Sequence, residues 1–597
     1  MSCPLYKIHL PVFFIMLVSC IAAAFYLADS NLLQTRNHLV YYTDSNLNKI
    51  EVAKARTMPF SERLPTKQEK FYWYFEIIHN PSDNTKIHLS ANECITKLYV
   101  NGKPYKLPVT LSLCKMERGI AVDLAAFLHE GNNKVIVEGW ARDGRFDIFY
   151  SPLSTISDSI GAEQLIIVIL LLPFIYLWWA IFLPNGTSLR LPVTVIYLSA
   201  VAFYIFRYLL ALPNSNLHDY YGHYFYIEHI LYNFSLPSLS CWECYQPPAF
   251  YIFSTIAVGI GNMLGQVNMY NSIKLFSFII YLIFCGVSFT LIKRLNLTQW
   301  LTALCFALFM FWPLAPIKAA DINNDISAAT AILLSFLFML KWYDIPRWQN
   351  FAAALAVAAA GMFIKSTCMV SFPIIGAITL LAIFEKRLSI KKLFRAEYII
   401  PFITAVCVGS IWLAHLQYGI KDNRSALVYN TVKGFSGLWI EKDKLSYYIS
   451  FPLKNYIYPP FFFDFQSEKY FWPTFLKTAL HGEWWWKAKV AASYSNILLL
   501  LMIIYIAAAR PKIRAHLIAL ASLIIMLLAF RISQPALCNQ DIRYIYAAIP
   551  LFCMIYVRSI QNFLEKRQYW FAYAGIAIAA QMIICSVIII LTEYISN

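Results

Sequence analysis

Residues 494–530 read YSNILLLLMIIYIAAARPKIRAHLIALASLIIMLLAF, two apolar runs (494–509 and 515–530) parted by Arg510-Pro-Lys-Ile-Arg514. Neither run carries the continuous polar stripe of a surface helix in a soluble domain. Each approaches the length that crosses a hydrocarbon core. Arg510, Lys512 and Arg514 make a basic connection of the kind retained in the cytoplasm. The stretch is therefore two membrane spans joined by a short cytoplasmic turn.

The pattern repeats along the chain. Candidate spans lie at 162–183, 191–212, 272–292, 299–317, 326–343, 350–364, 368–384, 398–416, 543–557 and 571–592, and an N-terminal run at 8–28 reads as an anchor. About 13 spans are expected. Of 597 residues, 59% are hydrophobic and 14% charged, against about 25% charged in soluble domains. That balance excludes a disordered chain, a nucleic-acid binder and an ordinary cytosolic enzyme. The net charge of +16 is assigned to cytoplasmic loops. Lys386-Arg387, Lys391-Lys392, Arg395, Lys341 with Arg347, and Lys566-Arg567 are further basic clusters. Placing them inside puts the N-terminus inside, and 29–160, 213–271, 417–493, 531–542 and the C-terminus outside. The count closes only if 247–265 does not cross.

Residues 29–160 differ in kind. Alternating stretches such as Phe71–Ile78, Ile95–Val100 and Lys134–Glu138 are separated by turn residues, among them Asn101-Gly102 and Gly131-Asn-Asn133. Period-two alternation with Asn-Gly turns predicts an extracytoplasmic β-sandwich. The run Cys94–Gly102 with Gly131–Val135 resembles galactose-binding-like jelly rolls, so both a sugar-contacting and a purely structural role follow as readings.

Four polar patches interrupt the membrane region, and the topology puts all four outside. Ionisable groups at such depth read first as a functional site. One is His218-Asp-Tyr-Tyr-Gly-His223, continuing through Glu228 and His229 to Glu243-Cys-Tyr-Gln-Pro-Pro248. Another is Asp321-Ile-Asn-Asn-Asp325. Lys365 stands alone between two short apolar runs and needs an anionic partner. The last is Cys538-Asn-Gln-Asp-Ile-Arg-Tyr544, where Arg543 suits bidentate phosphate recognition and Asp541 is placed to hold it. The bland readings are helix capping for Asp219 and Asp325 and snorkelling for Lys365. The loop 417–493 adds His481 and Glu483 within an aromatic-rich segment, read as interfacial anchoring with weaker substrate contact.

The order of Asp219, an interfacial segment and Gln246-Pro-Pro248 before the next apolar run resembles the first outer loop of the glycosyltransferase-C superfamily. That superfamily includes protein O-mannosyltransferases and lipid A aminoarabinose transferases. The resemblance covers roughly 160–597. It implies a sugar moved from a polyprenyl-phosphate donor to a glycan, lipid or protein acceptor, with inversion and with Asp219 as base. His223, Glu243, Gln246, Asn324, Lys365, His481, Glu483, Asp541 and Arg543 are then the substrate-binding candidates. Asp219 and Asp325 are the candidate ligands of a divalent cation, Mg or Mn. Many members carry paired acids where this chain has Asp219-Tyr220, which weakens a two-carboxylate metal site there.

Neither a P-loop nor a GxGxxG motif occurs, in keeping with a lipid-linked donor. An oxidising exterior permits Cys94–Cys114 and Cys241–Cys244 bridges. The expected setting is a bacterial inner membrane with the site facing the periplasm. The rival readings are a transporter or flippase of a lipid-linked glycan, against which the chain shows no internal repeat, and a non-catalytic sugar-binding assembly protein.

Overall fold

The computed structural model describes residues 6–29, 40–43, 49–51, 60–63, 70–79, 86–91, 94–107, 120–140, 145–152, 162–183, 188–210, 220–237, 243–263, 269–319, 321–419, 440, 443–458, 469–482 and 486–595. Most of them are helical.

Among the described residues, seven helices are long and apolar enough to cross a membrane: Arg190–Leu209, Met269–Lys293, Asp325–Asp344, Ser366–Phe384, Lys489–Ala509, Arg514–Ser533 and Tyr569–Thr592. Pro11–Ala23, Ile167–Phe182, Ala249–Met263, Gln299–Met310 and Ala396–Ile411 are shorter apolar helices. One expected span is divided. Residues 299–317 form the helix Gln299–Met310, a turn, and the short helix Ala315–Lys318. Pro313 and Pro316 cause the division, because proline lacks an amide donor and restricts the residue before it. The break leaves Lys318 and Asp321 beyond the end of the apolar helix.

Hydrophobic transfer does not drive helices together in lipid, so close approach depends on packing and small residues. A Cβ at Gly286 would run into the Phe182 ring. The helix Asp325–Asp344 lies centrally, packed against Met269–Lys293, Trp348–Met362 and Ser371–Phe384. Its N-terminus, the C-terminus of Trp348–Met362 and the segment after Arg514–Ser533 meet at one end of the bundle.

Residues 40–152 contribute two antiparallel sheets. One has six strands: β1 (Val40–Thr43), β2 (Lys49–Glu51), β4 (Lys70–His79), β6 (Cys94–Val100), β7 (Lys103–Tyr105) and β9 (Gly131–Trp140), ordered β2-β1-β4-β9-β6-β7. The other has four: β3 (Phe60–Arg63), β5 (Lys86–Ala91), β8 (Ile120–Asp123) and β10 (Arg145–Pro152), ordered β3-β10-β5-β8. Asn101 (φ 52°) and Gly102 (φ 78°) turn β6 into β7. Val100 pairs with Lys103, the two-residue hairpin that a tandem positive-φ pair produces. Leu98, Val100, Val135 and Val137 are fully buried on one face of the larger sheet, and Val122 of β8 is buried too.

Candidate functional site

A small cleft gathers side chains from all four polar patches. Its lining comprises His223, Glu243, Tyr245 and Gln246 from the first, Asn323 and Asp325 from the second, Lys365, and Arg543 with Tyr544.

Asp325 is the first residue of its helix, where the backbone dipole favours a negative charge. It is 3% exposed. Lys365 Nζ donates to its Oδ1, and Lys318 Nζ lies 3.4 Å from its Oδ2. Lys318 also donates to Asp321 Oδ2 at 2.6 Å. Burial works against the Lys318 charge, but Asp321 and then Asp325 outweigh it and hold the ammonium above its usual range. The capping role that the sequence offered Asp325 falls elsewhere: Asn323 Oδ1 accepts from the Asp325 amide at 2.9 Å.

Asn324 fixes the relative position of two patches. Its Nδ2 donates to Ile364 O at 3.0 Å and to Gln246 Oε1 at 3.3 Å. The Ala249 amide donates to Phe363 O at 2.8 Å, so the Gln246-Pro-Pro248 entry and the Lys365 segment form one rim. Gln246 Nε2 donates in turn to Glu243 Oε2 at 2.9 Å, and Tyr245 OH to Glu243 Oε1 at 3.3 Å. Glu243 has φ 63°, a conformation that costs an ordinary residue about 1–3 kcal/mol and is retained mostly at working sites. Its neighbour Cys244 is disulfide-bonded. His223 Nδ1 lies 2.7 Å from Tyr251 OH, and Tyr251 stacks on Tyr226 with centroids 3.9 Å apart.

Arg543 enters from a 3₁₀ turn, Ile542–Ile545, capped by Asp541, whose Oδ1 accepts from the Arg543 amide at 2.9 Å. Asp541 Oδ2 lies 3.9 Å from Arg543 Nε. Both cations lie against the Tyr544 ring, the Arg543 guanidinium 5.0 Å and Lys365 Nζ 5.2 Å from its centroid. Such contacts position a cation without neutralising it. The helix Phe471–His481 backs the turn, with Thr478 Oγ1 accepting from the Ile542 amide at 3.1 Å.

His481 is not among the cleft-lining residues. It is 1% exposed, with Nε2 3.3 Å from both Asn496 Oδ1 and Ser495 Oγ. Burial first, and then Lys477, lowers its pKa to about 3 against the opposing pull of Asn496 and a backbone bond to Ala492. It is therefore a neutral, buried member of the supporting shell. Asp219 and Glu483 lie outside the described residues.

The expected metal pair is Asp219 and Asp325. Among the described residues no group of three or more His, Cys, Asp and Glu converges as a metal site. Both oxygens of Asp325 face lysines, so a cation would have to displace Lys318 or Lys365. Asp219, the other expected ligand, lies outside the described residues.

Tyr245, Asn323 and Tyr544 line the cleft without having been singled out, although each stands inside a quoted patch. Lys318 was missed because it follows an apolar run directly. Its signal is a cation placed at a proline-broken span end, three residues before an aspartate.

No family model and no curated protein matches the chain. Among solved structures it is similar to ArnT from Cupriavidus metallidurans in the apo state, with 14% identity over 66% of this chain and 64% of that one and a TM-score of 0.42. The undecaprenyl phosphate-bound form of ArnT gives 13% identity over 68% and 77% of the two chains, again with a TM-score of 0.42. Arabinosyltransferase EmbB from Mycobacterium smegmatis gives 10% over 98% and 64%, with a TM-score of 0.33. The chain thus spans less than two thirds of the length of the first of these.

Proposed function

We propose that the chain is a membrane glycosyltransferase that moves a sugar from a polyprenyl-phosphate donor to an acceptor at the extracytoplasmic face, in a bacterial inner membrane crossed about 13 times. The observation that carries this reading is the convergence of Glu243, Asp325, Lys365 and Arg543 on one cleft from four separate parts of the chain. Residues 29–160 are proposed as a jelly-roll domain on the same side.

Transfer requires negative charge to be stabilised on the departing phosphate. Lys365 and Arg543 are the cations assigned to it, both against the Tyr544 ring, with Asp541 holding Arg543. Asp325 holds Lys365 and Lys318 in place. Glu243 and Gln246 present acceptors and a donor to sugar hydroxyls. Asp219, outside the described residues, is assigned the acceptor's proton. Direct displacement with that base inverts the anomeric carbon: the acceptor oxygen bonds to it as the bond to phosphate breaks.

The test is transfer of radiolabelled sugar from polyprenyl-phosphate donors by the reconstituted full chain. Wild type is expected to label an acceptor, and Asp219→Asn to abolish labelling with the folded protein retained. Full transfer by Asp219→Asn removes that residue's role. Absence of transfer with movement of the intact donor across the bilayer establishes the transporter reading instead.

A further inference from the structure

Arg531 stands in the last turn of the helix Arg514–Ser533 and is fully buried. Its three nitrogens reach three side chains. Nε donates to Gln540 Oε1 at 3.4 Å, Nη1 donates to Tyr448 OH at 3.0 Å, and Nη2 lies 3.5 Å from Asp443 Oδ1. Tyr448 OH donates onward to Asp443 Oδ2, and the centroid of the Tyr448 ring lies 5.3 Å from the guanidinium. The same contact is reinforced by the backbone: the Ile440 amide donates to Pro535 O at 2.9 Å. Trp472 Nε1 donates to Tyr448 O at 2.8 Å. One buried side chain thus fastens together a membrane helix, the segment 443–458 and the turn that follows Ser533.

That turn carries the arginine of the cleft. Gln540 ends the 3₁₀ helix Leu537–Gln540, and Asp541 and Arg543 follow directly. Phe530, the residue before Arg531, meets the Tyr544 ring edge-on, with centroids 5.3 Å apart at 73°. Adjacent residues at one helix end therefore touch the chain on both sides of Arg543, Arg531 through Gln540 and Phe530 through Tyr544. Arg531 itself does not line the cleft.

An apolar side chain of similar volume would pack these segments together without desolvating a charge. The guanidinium adds a planar fork of fixed geometry, which sets the angle as well as the distance between its partners. We propose that Arg531 is a positioning residue. Held by Tyr448 and Asp443, it orients Gln540 and so fixes where the Arg543 guanidinium stands in the cleft. The inference rests on the phosphate contact assigned to Arg543 above.

The test is the affinity of the purified full chain for a short-chain polyprenyl phosphate, with thermal unfolding of the same samples without lipid. Arg531→Lys keeps the buried charge and loses the fork, and Gln540→Leu removes the acceptor. Each should bind the lipid about tenfold more weakly, the scale of effect that a small misplacement of a contact group produces. In an Arg543→Gln background neither should weaken binding further, because both act through Arg543. A purely structural role would lower the unfolding temperature and leave the affinity losses fully additive. Undiminished affinity in both single variants, or full additivity with Arg543→Gln, overturns the positioning role and leaves Arg543 as the phosphate contact. Undiminished affinity in Arg543→Gln alone overturns the assignment of Arg543, and this inference with it. If Arg531→Lys does not fold, Gln540→Leu decides.

Discussion

Lys365 Nζ donates to Asp325 Oδ1 across 40 residues of sequence, joining the segment after the helix Trp348–Met362 to the start of the helix Asp325–Asp344. Both groups are buried, so water offers neither charge a substitute partner. Breaking such a pair from one side leaves a stranded charge, whereas removing both does not. Lys365→Met and Asp325→Asn are each predicted to destabilise the chain by about 3–5 kcal/mol. The double variant should cost less than the two singles combined. Thermal unfolding of the three variants in detergent reads the coupling, and simple additivity would show that the pair is not a unit.

Arg543 is predicted to matter for its shape as well as its charge. Arg543→Lys keeps a cation over Tyr544 but loses the fork that matches a phosphate. Transfer should fall by about 10²–10³ with the unfolding temperature nearly unchanged. Steady-state kinetics on a polyprenyl-phosphate-sugar donor would check it, and wild-type turnover in this variant would leave Arg543 a structural residue.

His481 predicts an acid-sensitive fold. Its folded pKa is about 3, against about 6.5 in an unfolded chain. Above pH ~6.5 both states are neutral there and the group has no pH effect. Between about 6.5 and 3 the unfolded chain binds the extra proton, so stability falls as pH falls. His481→Asn should flatten that part of the stability–pH curve, measured by denaturant unfolding at several pH values. An unchanged slope would mean that His481 is not buried as a neutral ring.

Gly361 sets how closely the Lys365 segment approaches its neighbours. A Cβ there would meet Cys368 Cβ at 2.9 Å and Ala331 Cβ at 3.3 Å. Gly361→Ala is predicted to cost about 1–3 kcal/mol by overpacking and to weaken donor affinity by displacing Lys365. Gly361→Ala combined with Cys368→Gly, which removes the nearest clashing Cβ, should cost less than the two singles summed, and simple additivity would place the clash elsewhere.

The membrane class and the polar patches were legible because charge is rare in this chain. His223, Glu243, Gln246, Asn324, Lys365, Asp541 and Arg543 stood out as interruptions of apolar runs, and Asn101-Gly102 marked a hairpin by backbone demand alone. Lys318 was hidden by the same reasoning, since hydropathy averaged over a span absorbs one charge at its edge. The partner of Lys365 could not be read either. Asn323 and Asp325 have equal capping chemistry, and only the fold decides which of them caps and which receives the lysine. His481 looked like a contact residue because the sequence does not reveal that Ser495 and Asn496 fold over it.

Photocrosslinking tests most directly whether the cleft is where the lipid-linked phosphate binds. A short-chain polyprenyl phosphate with a photoreactive group beside the phosphate would be irradiated with the purified full chain, and the labelled peptides mapped. Labelling should concentrate on residues 243–246, 321–325, 363–367 and 541–544 and should fall sharply in Lys365→Met and Arg543→Gln. Labelling confined to the basic turns at 386–395 and 510–514, unaffected by either substitution, would contradict the account.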